Sequence, residues 1–98
     1  MEISKHEDRI TVTLEGDLTS ETLNDFRDSI QAEINAGGRD FVIDFRNTVV
    51  IDSMGIGCLV ATYNTLKQEG GSISLRNLPD NLKEVFQIMR LDRLLAIE

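Results

Sequence analysis

Two spacings of apolar residues take turns along this chain, and their alternation constrains the fold more than any other feature. Ile10, Val12 and Leu14 alternate with Thr11 and Thr13, the two-residue repeat of a half-buried strand. Leu23, Phe26, Ile30 and Ile34 then recur at steps of three and four, one apolar stripe along a helix. FVIDF (Phe41 to Phe45) is almost continuously apolar, which suits a central strand covered on both faces. The helical period returns from about Ser53 to Glu69, with Ile56, Leu59, Val60, Tyr63 and Leu66 as its buried stripe. Ile73 and Leu75 alternate with serines in another strand. Leu82, Val85, Phe86 and Met89 face the core from a third helix, and Leu94, Leu95 and Ile97 suggest a last strand. A shorter piece around Ile3 precedes the first strand as a hairpin partner. The order is β-β-α-β-α-β-α-β. It describes an α/β fold with a mixed sheet of about 4–5 strands packed with about three helices.

The residues between these runs fit that order. Gly16 and Asp17 turn the chain, and Thr19 or Ser20 can cap the first helix with Glu21 in its first turn. Gly37 and Gly38 end that helix, and Gly70 and Gly71 stop the second. Pro79 suits the first turn of the third helix, where its missing N–H is not needed.

Length and charge narrow the function classes. The chain has 98 residues, so one domain spanning residues 1–98 is expected. No apolar run is long enough to span a membrane, and the charged start MEISKHEDRI lacks the apolar core of a secretory signal. The one cysteine, Cys58, has no internal disulfide partner, which points to a reducing cytoplasm. Cys58 reads as a small buried hydrophobe. One Cys and one His are too few ligands for a zinc cage. A net charge of −7 makes nucleic acid and anionic membranes poor partners and favours a protein with a basic face.

One stretch carries chemistry: IDSMGIG, from Ile51 to Gly57. Ser53 as a nucleophile would need a histidine base, and the only one, His6, lies in the charged N-terminal segment. The nucleophile-elbow pattern is half missing, because Ile51 stands where it needs a glycine. The phosphate-cradling lysine motif is absent, and the dinucleotide glycine motif is only half present at Gly55 and Gly57. No enzyme activity, cofactor or metal is expected. Two readings remain. Ser53 or Asp52 caps the second helix, or Ser53 is itself modified at an exposed strand-to-helix turn, where a phosphate would meet the helix dipole. Gly55 and Gly57 each cost about 0.5–1 kcal/mol against Ala in a helix, so close packing or a closely approaching partner should compensate. Met54 falls on the side of the helix opposite the buried stripe, beside Ser53.

At these residues the sequence resembles the STAS domain, and more narrowly the bacterial anti-sigma factor antagonists. The segments that carry the resemblance are GDL (Gly16 to Leu18), FVIDF, VVIDSMGIGCLV (Val49 to Val60), QEGGSISL (Gln68 to Leu75) and LPDNLKEVFQIMRLDRLLAIE (Leu78 to Glu98). The resemblance as a whole spans Ile10 to Ile97. The resemblance implies a cytoplasmic switch protein. Its unmodified form would bind an anti-sigma factor that is also a serine kinase, freeing a sigma factor. Phosphorylation of the serine matching Ser53 would end binding, and a serine phosphatase would restore it. Asp52 would shape the acceptor turn. Met54, Gly55 and Gly57 fall at the partner face, as does the loop Asp17 to Ser20, including Thr19. Thr19 departs from the aspartate that many members carry there. The sequence also stops at Glu98, where relatives commonly add a further helix. Self-association as a homodimer is left open. The competing class is a non-switching STAS scaffold or transport-complex component.

Overall fold

The computed structural model describes residues 1–98. Five strands and three helices follow the expected order: β1 (Glu2–His6), β2 (Arg9–Thr13), α1 (Leu23–Asn35), β3 (Asp40–Asp44), α2 (Ser53–Gln68), β4 (Ser72–Arg76), α3 (Asp80–Ile88) and β5 (Ala96–Ile97). A short 3-10 turn, Leu91–Arg93, separates α3 from β5. The strands lie in sequence order, β1-β2-β3-β4-β5. β1 pairs antiparallel to β2 as a hairpin, and every later pair is parallel, so the sheet is mixed.

That strand order decides where the helices lie. Each parallel connection crosses over with a helix, and such crossovers are right-handed. The order from β2 to β5 never reverses direction, so all three helices fall on one face of the sheet. The core bears this out: Phe26 and Ile30 of α1, Leu59 and Leu66 of α2 and Phe86 of α3 share one cluster with Val12, Ile43 and Leu75 of the sheet.

The expected cover on both faces of β3 is therefore corrected. Phe41 and Ile43 pack under the helices, while Val42 and Asp44 point to the other face. Both are fully buried without any helix above them. Cross-strand neighbours from β2 and β4 shield them: Thr11 and Ser74 flank Val42, and Thr13 and Arg76 flank Asp44. Glu98 ties this open face together, accepting from Ser74 at 2.8 Å and pairing with Arg9 at 2.8 Å and Arg76 at 3.2 Å. A carboxylate can stay buried at Asp44 because Arg46 and Asn77 donate to it.

The helices depart from expectation at the start of α1, at Pro79 and along the outer side of α3. α1 begins at Leu23, later than a Thr19 or Ser20 cap implies. The Thr19 carbonyl accepts from the N–H groups of Thr22 and Leu23, and the Thr22 hydroxyl turns back to the Asp17 carbonyl at 2.7 Å. Residues 19–22 are thus a turn, and Asp25, not Glu21, is the acid of the first helical turn. The stripe Leu23, Phe26, Ile30 and Ile34 is buried as expected. Gly37, at φ +102°, ends that helix in a backbone shape that glycine alone takes without strain. Pro79 precedes the first residue of α3. In α3 only Leu82 and Phe86 are buried, and Val85 and Met89 are exposed, because nothing covers the outer side of that helix. Leu94 is also exposed, and Leu95 fills the core instead.

Candidate functional site

The site sits at the C-terminal ends of β2 and β3, where parallel α/β sheets place their functional loops. Because these strands are neighbours, the loop after β2 and the loop after β3 lie side by side. They continue the ladder beyond the strands: Leu18 pairs in parallel with Ile51, with Leu18 N–H on the Val50 carbonyl and Asp52 N–H on the Leu18 carbonyl. The buried hydroxyl of Thr48 adds a bond to the Gly16 carbonyl at 2.7 Å.

Two carboxylates lock this pair of loops. Asp17 Oδ1 accepts the N–H groups of Val49 at 3.0 Å and Val50 at 2.9 Å. Asp52 uses both oxygens: Oδ1 accepts the Gly55 N–H at 2.8 Å and Oδ2 the Ser20 N–H at 3.0 Å. The first bond makes Asp52 the N-cap of α2, and the second ties α2 to the loop after β2. The Val50 and Val49 amides hold Asp17 below the usual carboxylate range. The Gly55 and Ser20 amides do the same for Asp52. Both acids are charged at neutral pH and turned to the backbone.

That arrangement leaves Ser53 unclaimed. It is the first residue of α2, exposed, and no protein group hydrogen-bonds its hydroxyl. The choice of cap between Asp52 and Ser53 is settled in favour of Asp52. Met54, the next residue, is 57% exposed, as its helical position implies.

The two glycines separate. Gly55 is buried, and a Cβ there would strike the Leu18 carbonyl oxygen and meet Ile51 Cγ2 at 3.0 Å. It belongs under the contact surface, letting α2 close on the Leu18 strand, and is not presented to a partner. Gly57 is exposed, with open space where a side chain would be. The buried face of α2 is correspondingly rotated. Gly55, Cys58, Leu59, Thr62 and Leu66 are buried, while Ile56, Val60 and Tyr63 flank the core. Thr62 satisfies its hydroxyl on the Cys58 carbonyl at 2.8 Å, so a polar residue can join the buried face. Burial raises the Cys58 thiol, in keeping with an inert buried hydrophobe.

Other expected residues fall as follows. Ser20 is exposed beside Asp52, and Thr19 spends its backbone and hydroxyl within the turn. His6 is on β1 at the opposite end of the sheet from Ser53, since it pairs through Arg9 to Asp40, where β3 starts. Two residues outside the expected set join the site. Val49 is 70% and Val50 48% exposed, and Asp17 fixes the backbone of both by accepting their N–H groups. Their place in the apolar run Val49 to Ile51, which leads into the D-S pair, was the available signal. With Met54 they are three exposed apolar side chains within four residues of Ser53 in sequence. No helix is long and apolar enough to cross a membrane.

The fold and site together define a small α/β module that offers a free serine hydroxyl at a helix start amid exposed apolar side chains. The chain belongs to the STAS-domain family: the family model described as "Mlab, STAS domain" matches residues 1–96. It is 27% identical over 97 residues to the anti-sigma-B factor antagonist of Bacillus subtilis, covering 99% of this chain and 88% of that one. Among solved structures, a candidate anti-sigma factor antagonist from Thermotoga maritima superposes with a TM-score of 0.92 at 21% identity, covering 98% of this chain and 83% of that one. The Bacillus cell fate determinant SpoIIAA, solved in its phosphorylated form, superposes with a TM-score of 0.78 at 20% identity, covering 99% and 89%. At such identities the structural matches establish the shared fold.

Proposed function

We propose that this protein is an anti-sigma factor antagonist, a cytoplasmic docking module switched by phosphorylation of Ser53. The observation that carries the reading is the free Ser53 hydroxyl: Asp52 performs the capping, so the serine is available to another protein. The relative named as an anti-sigma-B factor antagonist supports the same role. In this reading the unmodified face, built on Val49, Val50, Ser53, Met54 and Gly57, docks on an anti-sigma factor with serine kinase activity and displaces its sigma factor. The Ser53 oxygen attacks the γ-phosphorus of ATP, its proton passes to a kinase base, and ADP leaves. The chain itself supplies a substrate hydroxyl and no catalysis. The phosphate adds about −1.5 to −2 charge on an apolar docking face, where association costs its desolvation. A serine phosphatase reverses the step by hydrolysis.

The test mixes the protein with each anti-sigma factor kinase of its own genome and ATP, then measures mass and complex formation. The expected result is a gain of about 80 Da, one phosphoryl group, lost in Ser53→Ala, together with weaker association of Ser53→Asp. If Ser53→Asp assembles as tightly as wild type, the site works as a non-switching scaffold, as in a transport complex, and the switch reading is wrong.

A further inference from the structure

A groove of about 350 Å³ runs between α1 and α2, and Ser53 lies on its lining. Leu23, Arg27 and Ile30 of α1 form one wall, and Ser53, Gly57 and Cys58 of α2 form the other. The chain carries 17 acidic residues against 10 basic ones, yet no carboxylate lines this groove. Arg27 is the one charged side chain there. Its guanidinium donates to Asn24 Oδ1 at 2.7 Å and pairs with no carboxylate. Its charge reaches the far wall: burial raises the Cys58 thiol, and Arg27 is the largest influence opposing that rise. Asp52, the nearest acid to Ser53, has both oxygens committed to backbone N–H groups.

We infer that Arg27 receives the phosphate of phosphorylated Ser53 across the α1–α2 groove. The inference rests on the reading of Ser53 as a phosphoacceptor and adds what holds the modified state. A guanidinium presents a planar fork that matches two phosphate oxygens, and it gains little by staying with the neutral Asn24 carbonyl. Phosphate and Arg27 together bridge α1 to α2 and close the groove mouth beside Met54. The modified form is then marked by a changed surface as well as added charge. Arg27 acts here as a positioning residue: it touches the product phosphate and takes no part in phosphoryl transfer.

The experiment installs phosphoserine at position 53 during translation, so it needs no kinase. The phosphate is titrated by phosphorus NMR in the wild-type background, in Arg27→Gln and in Arg27→Lys. Expected is a second phosphate pKa lower in wild type than in Arg27→Gln by about half a unit or more, the direction a nearby cation imposes. Arg27→Lys should recover part of that shift, as a point charge without the fork. Phosphorylation should also raise the melting temperature more in wild type than in Arg27→Gln. Coincident titration curves in wild type and Arg27→Gln overturn the inference. Arg27 is exposed, so both variants should fold, and Arg27→Lys decides the matter if Arg27→Gln does not. Failure of every kinase to modify Ser53 would sink the switch reading, while the titration of installed phosphoserine would still judge Arg27 on its own.

Discussion

Alanine at Gly55 and at Gly57 should have opposite effects, although both glycines lie in the same helix two residues apart. At Gly55 the new methyl group would run into the Leu18 carbonyl, with Leu18 C at 3.1 Å and Ile51 Cγ2 at 3.0 Å. The obstruction is backbone, so α2 must move away from the loop after β2 or that loop must yield. Overpacking of this kind costs about 1–3 kcal/mol. The better helix propensity of Ala returns about 0.5–1 kcal/mol. Because the obstruction is backbone, the upper part of the overpacking range applies, about 2–3 kcal/mol, so the net loss is about 1–2.5 kcal/mol, a fall in melting temperature of roughly 4–20 °C for a domain of this size. At Gly57 nothing lies within reach of the methyl group, so only the propensity gain applies. That predicts about 0.5–1 kcal/mol of added stability, or roughly 2–8 °C. Thermal unfolding followed by circular dichroism, with urea unfolding as a check on the slope, measures both. If Gly55→Ala is neutral or stabilising, the close approach of α2 to Leu18 is not what the glycine serves.

Three further perturbations test the loops and the surface. Thr48→Val removes the buried bond to the Gly16 carbonyl and should cost about 1 kcal/mol, seen as a lower urea midpoint at unchanged slope; an unchanged midpoint would remove that bond from the account. Acidification should weaken the fold, because the backbone bonds of Asp17 and Asp52 lower those groups, and at Asp44 burial raises the carboxyl while Arg46 and Asn77 more than offset it. A lowered folded value means the contribution is complete above the ordinary value of 3.8 and is lost as pH falls through the folded values, so the urea midpoint should be level from pH 7 to about 5 and drop below; a midpoint that rises between pH 4 and 3 would contradict this. Val49→Ser with Val50→Ser should leave stability within about 0.5 kcal/mol per site, since both side chains are exposed, but should weaken the kinase complex about tenfold or more in calorimetric titration.

The fold was legible where burial follows hydropathy. The α1 stripe is such a case, because each of its apolar residues joins the core cluster. The α2 face was legible only in part. Its centre rests on Gly55 and Thr62, which carry no hydropathic signal: one is chosen for lacking a side chain, the other satisfies its hydroxyl within its own helix. The start of α1 was misplaced for a related reason. Thr19 and Thr22 are equally good caps by residue type, and only the contact from the Thr22 hydroxyl to the Asp17 carbonyl shows that the chain is still turning. The second face of β3 was hidden too, since apolar composition does not tell cover by helices from cover by neighbouring polar side chains.

At the candidate site, the sequence singles out Ser53 but does not show the division of labour beside it. Both nearby acids, Asp17 and Asp52, are consumed by the backbone of the facing loops. This matters for a switch. A phosphate on Ser53 meets the open N-terminal turn of α2, which favours negative charge, and that favourable field opposes the repulsion from Asp52. The cap and the loop clamp do not depend on the Ser53 hydroxyl, so its modification breaks no bond that holds the fold. What it does alter is the surface formed by Val49, Val50 and Met54, where a doubly charged group must be desolvated for any partner to sit down. In the proposed switch the fold is therefore insulated from phosphorylation of Ser53, and the proposed docking face is not.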